Sequence, residues 1–346
     1  MRIKTYIQNK HNHFIYQSCK KAVREFLEDR GYVEVDLPVL SPALIPESYL
    51  EVFETEFYFL DKKEKLYLTP SPELFLKRLL VEGVSNCFYF GKSFRNSEPS
   101  SSLHCHEFEI LEMYKVGVDY LQLADEVLEM VKYIDKKIQN LNPAAREQRG
   151  NFKSQNLFKK LKINFNRWEK IKVSEAFEKF AGVTEKELFS HHLFLKKAEK
   201  KGYNTSGFAY EDIWSQIYTQ EIEPHLGING YPTLIYDYPK EFAALAKLND
   251  DGKTAQRFEF YINGIELGDC YTELSDWQQQ EGRFLLENKK RKESGKINHP
   301  IDKGFIEALK YNLPFCSGIA IGFERLVMVL LGLNSIKSLK LVNIEF

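Results

Sequence analysis

Two arginines, more than two hundred residues apart, bracket the chemistry of this chain. Phe94-Arg95-Asn96-Ser97-Glu98 places the first at the end of a strand-like run. A polar loop follows, and His106-Glu107-Phe108-Glu109-Ile110-Leu111-Glu112-Met113-Tyr114 returns with alternate carboxylates. The second arginine closes Gly318-Ile319-Ala320-Ile321-Gly322-Phe323-Glu324-Arg325, a glycine-rich strand that runs into an apolar helix. Guanidinium groups match phosphate oxygens in charge and fork geometry, so two of them presented this way suit a triphosphate. The carboxylates suit a cationic group beside it.

A third segment carries metal-type chemistry. Phe258-Glu259-Phe260-Tyr261-Ile262, Asn263-Gly264 and Ile265-Glu266-Leu267 read as a hairpin, because Asn-Gly supplies the positive φ angles of a type I′ turn. A two-residue loop sets Ile262 against Ile265 and Tyr261 against Glu266. Glu259 shares the face of Tyr261, so Glu259 and Glu266 become diagonal neighbours about 7–8 Å apart at the backbone. Magnesium takes one or two carboxylates plus phosphate oxygens; two solvated strand glutamates are the alternative. Simple alternation puts Asp269, Tyr271 and Glu273 on the opposite face, and a bulge at Gly268 is expected to bring them round. His104-Cys105-His106 has one-residue ligand spacing and no second cluster, which speaks against zinc. Lys289-Lys290-Arg291-Lys292 reads as a solvated helix face in preference to a docking site for an acidic partner or nucleic acid.

The elements that must position these residues follow from periodicity. Ile15, Cys19, Ala22, Val23, Phe26 and Leu27 recur at helical spacing, predicting a helix near 12–30 that Gly31 can cap. Tyr32–Leu37 alternates like a strand, and Pro38 ends it. A helix over 71–82 opens on Ser71-Pro72-Glu73, with the serine capping and the proline at the first helical position. Strands are expected over 86–95 and 106–117, and a helix over 119–141. Residues 150–225 read as mostly helical, with Trp168 and Trp214 as core anchors.

Bulk properties exclude several classes. The 346 residues are 43% hydrophobic and 28% charged, ordinary for a globular enzyme. A formal net charge of -1 provides no overall field toward nucleic acid or membrane. No apolar run approaches the roughly 18 residues that span a bilayer, and the amino-terminal residues lack a signal-peptide core. Five scattered cysteines fit free thiols in a reducing cytoplasm.

In order and spacing the segments resemble the class II aminoacyl-tRNA synthetases. They are similar to the catalytic domain of lysyl-tRNA synthetases, and still more to the truncated paralogues that ligate lysine to elongation factor P. Leu68-Thr69-Pro70-Ser71-Pro72-Glu73 with Lys77-Arg78, Phe94-Arg95-Asn96, Arg257-Phe258-Glu259 and Gly264-Ile265-Glu266-Leu267 carry the likeness. Glu273-Leu274-Ser275-Asp276, His299-Pro300-Ile301-Asp302 and Cys316 to Arg325 extend it over nearly the whole chain.

The resemblance implies an α+β fold, a mostly antiparallel sheet flanked by helices. It implies one catalytic domain over 1–346 with a helical insertion near 145–225, no anticodon-binding domain, and a homodimer formed through the first helix and strand. It implies ATP and Mg2+ as cofactors, with catalysis resting on Arg95 and Arg325. Arg95 takes the α-phosphate and the substrate carboxylate, while Arg325 and Phe108 sandwich the adenine. Asn96, Ser97, Glu98, His104, Cys105, Glu266, Leu267 and Gly322 complete the ATP site, and Glu259 and Glu266 hold magnesium. Ser71, Pro72, Glu73, Glu112, Tyr114, Asp269, Tyr271, Glu273 and Ala320 line the amino-acid pocket. Phe108, Ile110, Glu112 and Tyr114 do share one strand face by period two. Glu73, Glu112, Glu273 and Asp269 together concentrate negative charge, which is costly unless paired. A substrate with two amines, lysine or β-lysine, supplies that pairing.

The chain departs from the family pattern in an extra Ser97, in a loop 99–103 without arginine, and in Cys105 and Asp269 where asparagine is usual. Tyr271 replaces phenylalanine. Ala320 replaces the glycine of the synthetases, as in the ligase-type paralogues. The expected acceptor is therefore elongation factor P, with tRNA disfavoured. A synthetase-like enzyme with an RNA or small-molecule acceptor, an asparagine-forming ligase and an amino-acid-binding pseudo-synthetase are the alternatives; an acidic pocket opposes the asparagine-forming one.

Overall fold

The computed structural model describes residues 2–97, 101–141 and 163–345. Glu98 and the segment 142–162, which takes in the start of the expected insertion, lie outside the described residues.

Helix α1 (Lys10–Glu28) buries the stripe that its periodicity predicts, from Ile15 to Leu27. It closes where Gly31 takes φ +78° and donates to the Glu28 carbonyl. The expected strand Tyr32–Leu37 shortens to β1 (Val33–Glu34). After the Val35 N–H reaches the Phe88 carbonyl at 2.9 Å, the chain leaves the ladder toward Pro38, which has no N–H to donate.

Helix α2 (Glu73–Val81) begins one or two residues later than expected, with Pro72 at the N-cap. The Ser71 hydroxyl still accepts from the Glu73 N–H, at 3.2 Å. β2 (Cys87–Phe94) and β3 (Glu107–Val116) pair antiparallel around the loop that follows Arg95. Helix α3 (Tyr120–Leu141) comes next. The expectation of a mostly helical 150–225 needs one correction: β4 (Glu169–Lys172) adds to the main sheet before helical turns take over, including α4 (His191–Lys200) and α5 (Tyr210–Ile217). β5 (Thr233–Pro239), β6 (Thr254–Ile262), β7 (Ile265–Thr272), α6 (Trp277–Glu293), α7 (Lys303–Lys310), β8 (Cys316–Gly322) and α8 (Phe323–Leu330) complete the frame.

Among the described residues the main sheet runs β1-β2-β3-β8-β7-β6-β5-β4. Only its two edge pairings, β1–β2 and β4–β5, are parallel. Alternation sends Phe88, Leu111, Met113, Phe258, Phe260 and Ile319 to one face, where they join residues of α1, α3 and α8 in the largest core. Trp168 enters this core, its ring 5.6 Å from that of Phe260 and its Nε1 donating to the Ala124 carbonyl. Trp214 anchors a separate cluster with Phe177, Tyr218 and Tyr238 under the helical segment. On the other sheet face Tyr89, Ile110 and Tyr114 pack with residues of α2 and α7 and with Phe284 of α6.

Register fixes what faces what across this second face. One transverse row reads Tyr89, Glu112, Ala320, Asp269, Glu259, each from a different strand. The next reads Cys87, Tyr114, Gly318, Tyr271, Arg257. Gly318 is required in that row, because a Cβ there would stand 2.3 Å from the Tyr114 ring.

The β6–β7 hairpin turns at Asn263 (φ 54°) and Gly264 (φ 71°), with Ile262 opposite Ile265 and Tyr261 opposite Glu266 as predicted. The bulge lies one residue earlier than expected. Leu267 is the extra residue, and Gly268 sits opposite Phe260. Gly268 is where the strands crowd: a Cβ would meet the Phe260 ring at 2.6 Å and the Ala320 carbonyl at 2.8 Å. The one-residue offset carries Glu266, Asp269 and Tyr271 to a common face.

Candidate active site

The open part of that sheet face is a cavity of about 780 Å³. Arg95, His104, Cys105, Phe108, Glu266, Leu267, Gly322 and Arg325 line it toward the end of the sheet where β3 begins and β8 ends. Ser71, Glu73, Glu112, Tyr114, Asp269, Tyr271, Glu273 and Ala320 line it toward the other, and Glu259 lies on the wall formed by β6. The structure therefore brings together most of the residues singled out from the sequence. Pro72, Asn96 and Ser97 fall outside the lining. Asn96 turns its amide to the Val52 carbonyl at 3.3 Å, and Ser97 is exposed with φ 61°.

The two arginines are held differently. Arg325, in the first turn of α8, donates from Nε to the Leu103 carbonyl at 3.0 Å and from Nη1 to the Glu266 carbonyl at 3.3 Å. These bonds tie the loop after β2 to the start of β7. Arg95 has its Cζ 5.2 Å from the centroid of Phe108, and its buried Nε has no hydrogen-bond partner among the described residues.

The carboxylates do not wait for a substrate to pair them, and here the sequence expectation is corrected. Lys77 of α2 is fully buried and lies 2.5 Å from both Glu73 and Glu273. Burial pulls its ammonium toward neutrality, but Glu273 and Glu73 more than offset this and hold it above the usual lysine range. Arg257 does the same on β6. It donates from Nε and Nη2 to Asp269 at 3.0 Å each, and from Nη2 to Glu259 at 2.8 Å. Tyr271 adds a hydroxyl bond to Asp269 at 2.5 Å. The aspartate that stands where asparagine is usual is thus neutralised by the protein itself. Both cations were within reach of sequence reasoning. Lys77 lies one helical turn after Glu73, and Arg257 two strand positions before Glu259.

Glu112 is different. It accepts from the Ser71 hydroxyl at 2.7 Å and from the Tyr114 hydroxyl at 3.1 Å, but has no ion pair among the described residues. Burial, and then the charge of Glu73, push its carboxyl up to about 8, against the smaller pull of Lys77. If this carboxylate holds an ammonium group, kcat/KM for the amino acid should rise about tenfold per pH unit below 8 and level off above it. A pH profile of pyrophosphate exchange checks this, and Glu112→Gln should make the ascending limb shallower, leaving the part due to Glu273, which burial also raises to about 8.

A phenol cluster, unmarked by any motif, supports the β6 wall. Tyr261 donates to Glu259 at 2.6 Å, Tyr218 lies 2.6 Å from Tyr238, and Tyr261 also reaches Glu223 at 3.1 Å. Glu223 lines the cavity, and burial and then Glu259 raise its carboxyl to about 7. Among the described residues no group of three or more His, Cys, Asp or Glu side chains forms a ready-made metal cluster. Glu259 and Glu266 nonetheless offer hard oxygen donors to one cavity. Glu259 Oε1 accepts one hydrogen bond, from Arg257, and keeps a lone pair, while Oε2 accepts from Tyr261 at 2.6 Å and from Tyr218 at 3.4 Å. Two carboxylates with free lone pairs fit magnesium when phosphate oxygens complete its shell.

The fold and this cavity define a class II synthetase catalytic unit. The chain matches the family described as tRNA synthetases class II (D, K and N) over residues 4–342, and it belongs to that family. Within it, the chain is similar to the elongation factor P–(R)-β-lysine ligase of Avibacterium paragallinarum, 32% identical over 326 residues that cover 93% of this chain and 92% of the relative. The ligases of the same name from Yersinia enterocolitica (32%, covering 90% and 88%) and Salmonella dublin (33%, covering 91% and 89%) are similar to the same degree. The chain belongs with these relatives to one family.

Proposed function

We propose that the chain condenses ATP with lysine or (R)-β-lysine to an aminoacyl-adenylate and passes the acyl group to a lysine side chain of elongation factor P. The observation that carries this reading is Arg95. Arg95 lines a cavity whose adjoining wall is rich in carboxylates, and its guanidinium, with the Nε lacking an acceptor among the described residues, suits an anion.

Arg95 takes the α-phosphate and the substrate carboxylate. Arg325 contacts the outer phosphates and stacks on the adenine, whose other face meets Phe108. His104 and Cys105 flank the nucleotide. A Cβ at Gly322 would meet nothing nearer than Arg325 at 3.7 Å, so protein packing alone does not call for glycine there, which supports a close approach of ligand to backbone. Glu259 and Glu266 hold magnesium, which when bound supplies charge neutralisation to the phosphates.

The substrate carboxylate attacks the α-phosphorus. A C–O–P linkage forms, the Pα–O bond breaks, and pyrophosphate leaves with the electron pair. The carboxylate is already a nucleophile, so the step needs alignment and charge stabilisation and no general base. A neutral lysine amine of the acceptor then attacks the acyl carbon, an amide forms, AMP departs, and the amine proton passes to solvent.

The acceptor rests on the names of the relatives. A second copy of the chain is proposed to cover α1 and β1, where Phe14 and Val33 are 60% and 52% exposed; sedimentation equilibrium tests this. A cytoplasmic setting fits the five free cysteines. No helix among the described residues is long and apolar enough to cross a membrane.

Pyrophosphate exchange with lysine, (R)-β-lysine, aspartate and asparagine, followed by mass analysis of elongation factor P and tRNA, tests the whole reading. Exchange with the diamino acids and a mass gain on elongation factor P alone are expected. Exchange driven by aspartate, or label on tRNA and none on the protein, sinks it.

A further inference from the structure

Between β1 and α2, the loop that joins the short strands Leu40–Ser41 and Glu54–Phe59 presents an acidic side chain that no motif singles out. Pro46, Glu47 and Ser48 lie on the cavity wall beside the amino-acid pocket. The backbone of this loop is bolted from α6 and the segment after it. Arg291, fully buried, donates from Nη1 to the carbonyls of Glu47 at 2.7 Å and Leu50 at 2.6 Å, and from Nε to that of Ile297 at 2.7 Å. Lys296 reaches the Ser48 carbonyl at 2.7 Å, His299 meets that of Ile45 at 3.1 Å, and the Ser48 N–H donates to Glu287 at 3.1 Å. Arg291 sits in the run read from sequence as a solvated face. It is instead the internal clamp of this loop.

The backbone is saturated with bonds while the Glu47 side chain has none. The side chain is half-buried on the cavity wall, and its carboxylate accepts no hydrogen bond and makes no ion pair among the described residues. It lines the same cavity as Arg95 and Glu73, and the charges that act on it are Arg95, Glu73, Arg257 and Glu287. The other carboxylates there are engaged: Glu73 and Glu273 by Lys77, Asp269 by Arg257, Glu112 by two hydroxyls. A rigidly mounted, unpartnered carboxylate next to the site of the substrate carboxylate matches a zwitterion's nearer ammonium.

We propose that Glu47 is a specificity-determining residue that binds the ammonium group nearer the substrate carboxylate, leaving the distal ammonium to Glu112 and its neighbours. The assignment rests on the diamino-acid reading above. An ω-amino acid without the nearer amine leaves Glu47 unpaired and is rejected; a diamino acid satisfies both ends of the pocket.

The test compares kcat/KM for lysine, (R)-β-lysine and 6-aminohexanoate in pyrophosphate exchange, in the wild type, Glu47→Gln and Glu47→Asp. The wild type should prefer its best diamino acid over 6-aminohexanoate. Glu47→Gln should cut that preference roughly 10- to 100-fold, the worth of a charged hydrogen bond, with KM for ATP unchanged. Glu47→Asp keeps the charge and should retain part of the preference. An equal loss for all three acids, or an unchanged ratio in Glu47→Gln, overturns the assignment while the general reading stands. If Glu47→Gln does not fold, Glu47→Asp decides: a ratio identical to wild type with the carboxylate drawn back by a methylene overturns the proposal. A wild type that activates neither diamino acid overturns the functional reading, and the role of Glu47 with it.

Discussion

Arg325→Ala should reduce ATP–pyrophosphate exchange by at least about 10²- to 10³-fold, the usual cost of removing one preorganised charge stabiliser from an active site. The geometry makes this loss specific. Arg325 bonds only to the Leu103 carbonyl and to Glu266 among the described residues, so it is fixed at the cavity wall without supporting the core. The variant should therefore melt within a few degrees of the wild type while its exchange disappears. Arg325→Lys should recover little, because a point charge cannot span two oxygens as the planar fork does. Undiminished exchange in Arg325→Ala would refute its assigned role.

Lys77→Met should be the most destabilising single change in the pocket. It leaves Glu73 and Glu273 facing each other in the interior with no cation, and breaking a buried ion network in this way costs roughly 3–5 kcal/mol. The sign of the pH dependence follows. Burial already holds the Glu273 carboxyl up at about 8 against the pull of Lys77, and losing that pull raises it further, so the variant is least handicapped at low pH. Its stability falls as pH rises through the folded values. Thermal melts at pH 6 and pH 8.5 should show the larger deficit at pH 8.5, and adding Glu273→Gln should recover part of it. A variant equally stable at both values would mean that the Lys77 ammonium does not neutralise this pair.

The sequence was most informative where local rules act alone. Asn263-Gly264 predicted the turn and the pairing of Tyr261 with Glu266, and the period-two run from Phe108 to Tyr114 predicted which strand face meets the cavity. The bulge was legible as a need, since alternation alone misplaces Asp269, but its position was off by one. The offset is set by crowding of Gly268 between Phe260 and Ala320, a tertiary contact no local pattern contains. The charge balance of the pocket was misread for a related reason. Counting carboxylates in motifs leaves out Lys77 and Arg257, which matter because burial places them against those acids. Glu47 was invisible because its significance lies in lacking a partner and in the clamp from Arg291, more than 240 residues away.

The row that sets Glu112, Ala320, Asp269 and Glu259 side by side recruits four strands scattered along the chain. Each member can mutate without disturbing its sequence neighbours, and Arg95 and Arg325 belong to different rows. Glu112 and Ala320 stand apart from both arginines, whereas Asp269 shares Arg257 with Glu259, so replacements at 112 and 320 can alter the choice of acid with the least effect on the nucleotide side. Lineages in which residues 112 and 320 covary would be the natural trace of such replacements.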